Sequence, residues 1–409
     1  MKKVKDIYNY QKRLKSAVEL VKKSPISERN KQLILEFRDF ASLDGLSLPR
    51  ILRYLGVLKD WAKIINVDFD KATKEDIIRA VRIIQEHERY RPWTKATYKI
   101  MLKRFYKWLK KAEDHPEEVK WIKTRLKRTE KEMLNNGDLI TEDEIKKLIN
   151  SAEHPRDKAF VSALYESGAR IGEIASLQIG NVNIDEYGIV LNVNGKTGPR
   201  PIRIIASTPY LSTWLQNHPF KDDKNAPLWI NIGCTNHNSM MQYATIRVML
   251  KRLFEKTEIK KRFNPHMFRH SRATFLADYL TEFQMNQYFG WIQGSNMPST
   301  YVHMSGKKID ASILALNGLK QEISKEFELK PKICPRCDTI NAVDSKFCSN
   351  CAGILDVKTA YDLQEKITKE TDIRKNSDEL MNVLMKDPEF LNLFASKVKE
   401  LGLGDKLVC

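Results

Sequence analysis

The chain has 409 residues, too many for one compact core and enough for about two to four domains. Its 70 Lys and Arg against 52 Asp and Glu give a net charge of +18 on a chain that is 42% hydrophobic, so a folded protein with a polyanionic partner, nucleic acid first, is expected. No run of about 18 apolar residues occurs, which excludes a helical membrane span. The charged start MKKVKDIYNYQKRLK has no apolar stretch, so a cytoplasmic, nucleoid-associated location is expected rather than secretion.

In chain order, the first third reads as helices. SERNKQLILEFRDFA begins at Ser27, whose hydroxyl suits an N-cap. SLPRILRYLGVLKDWAKII follows with apolar residues at helical spacing. WTKATYKIMLKRFYKWLKK puts Tyr98, Leu102, Phe105 and Leu109 on one stripe, with Thr94 as the expected cap. From Arg91 to Lys111 there are eight Lys or Arg and no acidic residue. A solvated face usually mixes signs, so Lys95, Lys99, Lys103, Arg104 and Lys107 are expected to meet phosphates.

Residues 112–138 read as a polar hinge with an acidic start, a basic middle and a turn at Asn136–Gly137. A helix then starts at TEDEIKKLI, where Thr141 and Glu144 form a capping box, and a domain boundary is placed there. DKAFVSALYESGARIGEIASL predicts helix, tight turn, helix over residues 157–177. GIVLNV and PIRII flank NGKTGPR, which predicts a β-hairpin with a long turn. Helices resume at NSMMQYATIRVMLKRLFEKT and continue to about residue 325, with no internal repeat of solenoid length.

The chemistry-bearing stretch is HMFRHSRATFLADYL, where His266, Arg269 and His270 share a helix face. A His pair at this spacing can hold a metal, but a protease-type H-E-x-x-H helix needs a carboxylate after the first His, and Met267 stands there. Arg269 would set a guanidinium beside the ion, and no third ligand is evident. An anion is the better fit, because arginine grips phosphate or carboxylate with two donors. Arg170 lies at a turn between Gly168 and Gly172, and Lys196 at the hairpin tip. The GKT triplet is no phosphate-binding loop, since that motif needs glycine where Val190 stands. Further on, YFGWIQGSNMPSTYVHMS holds Trp291 after a glycine and Tyr301 ten residues later. Alone, Tyr301 would be read as a half-buried core tyrosine.

Taken in order, Arg170 with Glu173, Lys196, His266-x-x-Arg269, Gly290–Trp291 and Tyr301 resemble the tyrosine recombinase (phage-type integrase) family over roughly 141–310. The likeness is to its archaeal-type members with a C-terminal zinc ribbon. TKATYKIMLKRFYKWL resembles that family's helical core-binding (SAM-like) domain. The implied fold is mainly α: a core-binding domain at 1–115, a linker at 116–138 and an α-rich catalytic domain with a small antiparallel β-sheet or hairpin at 139–325. The implied function is site-specific DNA recombination through a 3′-phosphotyrosine, without ATP, divalent metal or other catalytic cofactor. Tyr301 would be the nucleophile, Arg170 and Arg269 the phosphate clamp, Lys196 the acid for the leaving 5′ oxygen and His266 the proton acceptor. Trp291 would donate its indole N–H to the phosphate, Glu173 would orient the site, and His270 would support the helix. Double-stranded DNA and a homo-tetramer on paired sites are the implied partners. A chromosome-dimer resolvase of the same family, a type IB-like topoisomerase and a non-catalytic DNA-binding regulator are the alternatives.

Last, CPRCDTINAVDSKFCSNC sets Cys334 and Cys337 ten residues ahead of Cys348 and Cys351. Four thiolates in two C-x-x-C knuckles predict one structural Zn²⁺ in a small ribbon at 330–355. With almost no core of its own, the ribbon would draw its folding energy from the metal. The tail at 356–409 carries apolar residues at helical spacing and is expected to be helical and to dock on its own chain or a neighbour.

Overall fold

The computed structural model describes residues 6–126, 136–234, 236–302, 314, 317–318 and 329–401. The expected basic middle of the linker (127–135), the end of the catalytic segment after residue 302 and the last residues of the tail therefore lie almost wholly outside the described residues.

Five helices form the N-terminal unit: α1 (Tyr10–Lys22), α2 (Glu28–Leu43), α3 (Leu48–Ile65), α4 (Lys74–Glu86) and α5 (Pro92–Leu109). Ser27 caps α2 by accepting from the Asn30 N–H, as its position predicts. Thr94 does not cap α5; the helix starts earlier, with Arg91 at the N-cap and Pro92 at the first helical position. Proline suits that position because its φ is preset and its missing N–H would have had no partner. The predicted stripe faces inward: Tyr98, Leu102 and Phe105 join Phe37, Tyr54, Trp61 and Phe69 in one core.

After α6 (Glu117–Lys120) the chain reaches a second unit whose core runs from Ile140 to Phe268. The Thr141–Glu144 capping box opens α7 (Glu142–Ser151). Helix α8 (Pro155–Ser167) is buried along almost its whole length and ends at Gly168 in the left-handed region, which lets the chain turn into α9 (Ile171–Ala175). Three antiparallel strands follow in the order β1 (Val182–Asp185), β2 (Gly188–Gly195), β3 (Gly198–Ile204). The expected long hairpin turn is absent, because pairing continues to Gly195 and Gly198 and leaves only Lys196 and Thr197 at the tip. Strand β1, which sequence periodicity did not single out, pairs with β2 from Val182 to Asp185. Helices α10 (Thr208–Gln216), α11 (Tyr243–Lys256), α12 (Pro265–Leu276), α13 (Glu282–Phe289) and α14 (Met297–Val302) complete the unit.

Two connections bind this unit to its neighbours. Ahead of α1, Ile7 is buried in the second core, its carbonyl accepts from the Tyr243 N–H at 2.9 Å, and Tyr8 packs on Tyr243 with ring centres 5.0 Å apart. At the other end, a small ribbon with strands β4 (Lys332–Ile333) and β5 (Ile340–Asn341) meets α10, where the Tyr210 hydroxyl donates to Asp344 at 2.7 Å. The tail forms α15 (Val357–Leu384) and α16 (Pro388–Glu400), which expose Leu380, Val383 and Leu393. No helix of the described residues is long and apolar enough to cross a membrane.

Candidate active site

Glu173 is the hub of the site. It sits in the first turn of α9 and is only 4% exposed. Its Oε1 accepts from Arg170 Nη1 at 2.8 Å and Arg200 Nη1 at 3.2 Å. Its Oε2 accepts from Arg200 Nη2 at 2.7 Å and the Arg170 backbone N–H at 3.0 Å. Burial pushes the Glu173 carboxyl up, but hydrogen bonds and charge from Arg200 and Arg170 outweigh this and hold it below the usual carboxylate range. A buried carboxylate with four donors is fixed in place, and it fixes Arg170 in turn.

Arg200 was not visible as a site residue in the sequence. It stands on β3, and its Nε donates to the Tyr288 carbonyl at 2.9 Å. It thereby ties the hairpin to the end of α13. Gly195, beside the tip, is needed for the same contact, because a Cβ there would lie 2.2 Å from Glu173 Oε1. Lys196 is therefore carried by a hairpin seated on the Glu173 hub, with its side chain exposed at the tip.

Helix α12 supplies the second arginine. Asn264 caps it, accepting from the His266 N–H at 3.0 Å, and Pro265 occupies its first turn. Arg269 is buried; its Nη1 donates to the Gly168 carbonyl at 2.9 Å and its Nη2 to the Phe289 carbonyl at 2.7 Å. Its guanidinium also lies 5.3 Å from the centre of the Trp291 ring. Burial, then Arg170, lowers the Arg269 pKa to about 10, which leaves it cationic at neutral pH. Arg170 Nη2 reaches the Gly290 carbonyl at 3.2 Å. With two N–H groups of each guanidinium engaged in these contacts, each keeps about three more for a ligand.

Tyr301 lies against α12. It is 1% exposed, and its ring is parallel to Trp291 within 5°, with centres 5.5 Å apart. Its hydroxyl lies 2.7 Å from His270 Nδ1. Burial holds the Tyr301 pKa up, against the opposing pull of Arg269. Burial, then His266 and Arg269, pushes His270 down to about 4. His266 sits at the rim, open on one side; the protein packed on its other side, then Arg269 and Arg170, lowers its pKa. His270, expected only to support the helix, is the histidine on the tyrosine hydroxyl. Trp291, expected to offer its indole to a phosphate, stands in an aromatic stack between Phe289 and Tyr301.

The structure thus brings Arg170, Glu173, His266, Arg269, His270, Trp291 and Tyr301 to one place, with Lys196 on the adjoining hairpin. Two arginines stand beside a tyrosine whose hydroxyl meets His270, with His266 at the rim and both imidazoles held below their ordinary pKa. That arrangement fits an anion with a reactive centre, such as a phosphodiester.

On α5 the five basic residues are less free than their sequence suggests. Lys95 Nζ donates to the Gln85 carbonyl and Lys99 Nζ to the Gln85 side chain, both at 2.6 Å. Lys103 reaches the Lys120 and Ile122 carbonyls at 3.3 Å, and Arg104 pairs with Asp44 at 2.5 Å. Lys107 is exposed. Lys103, Arg104 and Lys107 share a cleft of about 1050 Å³ with Arg29, Arg50 and Trp108.

The four ribbon thiols form a separate cluster, with every Sγ within 4.8 Å of the others and Cys337 3.4 Å from Cys351. A tetrahedral tetrathiolate ion separates its sulfurs by roughly 3.8 Å, so the cluster fits one metal ion with no ligand position open. The two knuckles repeat one geometry: the Cys334 N–H donates to the Thr339 carbonyl at 3.0 Å, and the Cys348 N–H to the Gly353 carbonyl at 2.7 Å. Backbone donors from Cys351 and Asn350 lower the Cys348 thiol, while the neighbouring sulfurs of Cys337, Cys334 and Cys348 push Cys351 up.

Residues 138–308 match the phage integrase family, a span that includes all of the clustered residues. Over 139 residues the chain is 27% identical to tyrosine recombinase XerA of Pyrococcus horikoshii, covering 34% of this chain and 47% of that protein. Over 298 residues it is 24% identical to tyrosine recombinase XerD of Ralstonia nicotianae, covering 70% of this chain and 94% of that protein. The chain therefore spans about half the length of the first relative and nearly all of the second. Among solved structures, the fold is shared with XerH site-specific recombinase bound to difH substrate, at a TM-score of 0.53 and 17% identity, covering 77% of this chain and 90% of that one. It is also shared with a lambda integrase dimer bound to a COC′ core site, at 0.52 and 13%, covering 68% and 77%.

Proposed function

The chain carries a tyrosine recombinase domain of the phage integrase family at residues 138–308, and on that premise we propose that it cuts and rejoins double-stranded DNA at specific sites. The observation that carries this reading is the convergence of Arg170 and Arg269 with Tyr301 and two neutral histidines in one site. The Tyr301 oxygen attacks the scissile phosphorus, its proton passes to His266, and the P–O5′ bond breaks. Lys196 delivers a proton to the departing 5′ oxygen. Arg170 and Arg269 hold the non-bridging oxygens, where negative charge grows. The phosphotyrosine keeps the bond energy of the diester, so attack by another 5′-hydroxyl reseals the strand without ATP.

The helical N-terminal unit, through α5, is read as the second half of a DNA clamp, and a homo-tetramer on two paired sites as the working assembly. Zn²⁺ is the ion assigned to the four thiols, in a structural role. The ribbon and tail favour the integrase of a mobile element, acting in the cytoplasm on the nucleoid. The test is a nicked duplex carrying the cognate site: wild type accumulates a covalent protein–DNA adduct and Tyr301→Phe does not. An adduct retained by Tyr301→Phe rules out this nucleophile, and no adduct from wild type on cognate DNA favours a DNA-binding regulator.

A further inference from the structure

We propose that His270 is a positioning residue that stows Tyr301 in the unbound chain, accepting its hydroxyl proton in a hydrogen bond while Trp291 covers the ring. The inference rests on the reading of Tyr301 as nucleophile. Its basis is a mismatch of exposure within the site. Arg170 is partly open and His266 stands exposed, ready to meet a phosphate, yet Tyr301 is 1% exposed. A phenol that buried cannot touch a phosphodiester in a duplex, so it has to leave this position before it reacts.

Two contacts hold it, and a third backs them. The hydroxyl lies 2.7 Å from His270 Nδ1, the ring lies parallel to Trp291 at 5.5 Å, and Trp291 is itself stacked on Phe289 at 4.8 Å. The proton states agree with this geometry. A neutral imidazole offers one acceptor nitrogen, and a buried phenol keeps its proton to donate. In this proposal the bond runs from the Tyr301 O–H to Nδ1, which puts the His270 proton on Nε2. Arg269 joins the pocket to the phosphate site: its guanidinium faces Trp291 at 5.3 Å and its Nη2 holds the Phe289 carbonyl. A phosphate drawing on Arg269 pulls at the wall that covers Tyr301. Arg269 and His270 are consecutive residues of α12, so a ligand on the arginine is felt at the latch through a single peptide unit.

Two variants of similar size separate the hydrogen bond from packing. Asn places its amide oxygen near the position of Nδ1, whereas Gln places its acceptor near that of Nε2. The full chain, without DNA, is treated with tetranitromethane, and nitration is followed residue by residue by peptide mass spectrometry. Tyr54 and Tyr106, both buried in the N-terminal core, report an intact fold. In H270Q, Tyr301 nitration rises about fivefold over wild type, the value of one net hydrogen bond, while H270N stays near wild type. The rate of adduct formation at saturating nicked duplex rises in H270Q relative to H270N. Equal Tyr301 nitration in the two variants overturns the proposal. The nitration readout needs no DNA, so it stands apart from the nucleophile assignment, which the Tyr301→Phe trapping experiment decides.

Discussion

Arg200 closes on Glu173 across the catalytic unit: Nη2 lies 2.7 Å from Oε2 and Nη1 3.2 Å from Oε1, with the two side chains 9% and 4% exposed. A buried pair of this kind adds little over an apolar pair, but removing one partner strands a charge. Arg200→Ala leaves Glu173 with Arg170 alone and leaves the hairpin tied to the end of α13 by Thr197. The expected cost is about 3–5 kcal/mol, measured by urea unfolding. Arg200→Lys recovers only part of it, since an ammonium cannot make the two-pronged contact.

Gly290 makes a second, steric prediction. Its φ is +60°, and a Cβ there would lie 2.7 Å from Arg200 Nη1. Its carbonyl also receives Arg170 Nη2 and the Thr197 hydroxyl, both at 3.2 Å. Gly290→Ala therefore strains the backbone by about 1–2 kcal/mol and displaces an arginine of the hub. Adduct formation is expected to fall by at least about tenfold, because small misplacements of clamp groups are costly. Single-turnover cleavage of a nicked duplex measures it, and an unchanged rate removes Gly290 from the positioning of the site.

These two residues mark the limit of what the chain reveals when read linearly. Arg170, His266, Arg269 and Tyr301 were legible because each sits in a short motif, and the order of the motifs pointed to one chemistry. The helices of the N-terminal unit were legible from apolar spacing, and the Ser27 and Thr141 caps from local hydrogen-bond chemistry. Arg200 was not, because it is one of many arginines and its partner lies 27 residues away. The contact of His270 with Tyr301 was hidden for the same reason: it spans 31 residues and depends on how α14 packs on α12. Thr94 misled because proline at the first helical position already solves the problem that a cap would solve.

The histidines set the response to acid. The folded pKa of His270 is about 4, below the ordinary value of about 6.5. Between those values the unfolded chain binds more protons than the folded one, so stability rises with pH from about 4 to about 6.5 and is flat above. His266, His154, His218 and His115 are lowered as well and act with the same sign. The difference between wild type and H270N isolates His270: melting temperatures measured across this range should show a shallower slope for H270N. Because His266 is lowered too, adduct formation in wild type should hold its neutral rate further into acid than an ordinary imidazole would allow, and fall only below that.

Metal removal is expected to act on the ribbon first. The purified chain should carry about one zinc, and Cys334→Ser should lose it, since three thiols and a hydroxyl bind far more weakly. The ribbon would then lose its fold and release the contact from Tyr210 to Asp344. Limited trypsin digestion reads this as new cleavage between Lys330 and Lys346 in the chelated chain, with the segment from Thr141 to Tyr301 still resistant. Tyr210→Phe keeps the metal but weakens docking by about 1 kcal/mol. Cleavage appearing inside α7–α12 on chelation would instead make the metal a support of the catalytic unit.

The basic helix α5 gives a graded prediction, because its cations differ in what they already hold. Lys107 is exposed, whereas Arg104 is paired with Asp44 at 2.5 Å and Lys95 and Lys99 are bound to Gln85. A cation with no carboxylate beside it gains most from a phosphate, since nothing has to be given up. Lys107→Ala should weaken binding to duplex DNA of any sequence and reduce the slope of log affinity against log salt by about one. Arg104→Ala should do less, because its guanidinium is already engaged by Asp44 and is less available to a phosphate. Asp44→Asn, which frees Arg104, should tighten binding and steepen the slope. Fluorescence anisotropy on one duplex over a range of salt concentrations ranks the three, and a Lys107→Ala slope equal to wild type removes this face of α5 from the DNA.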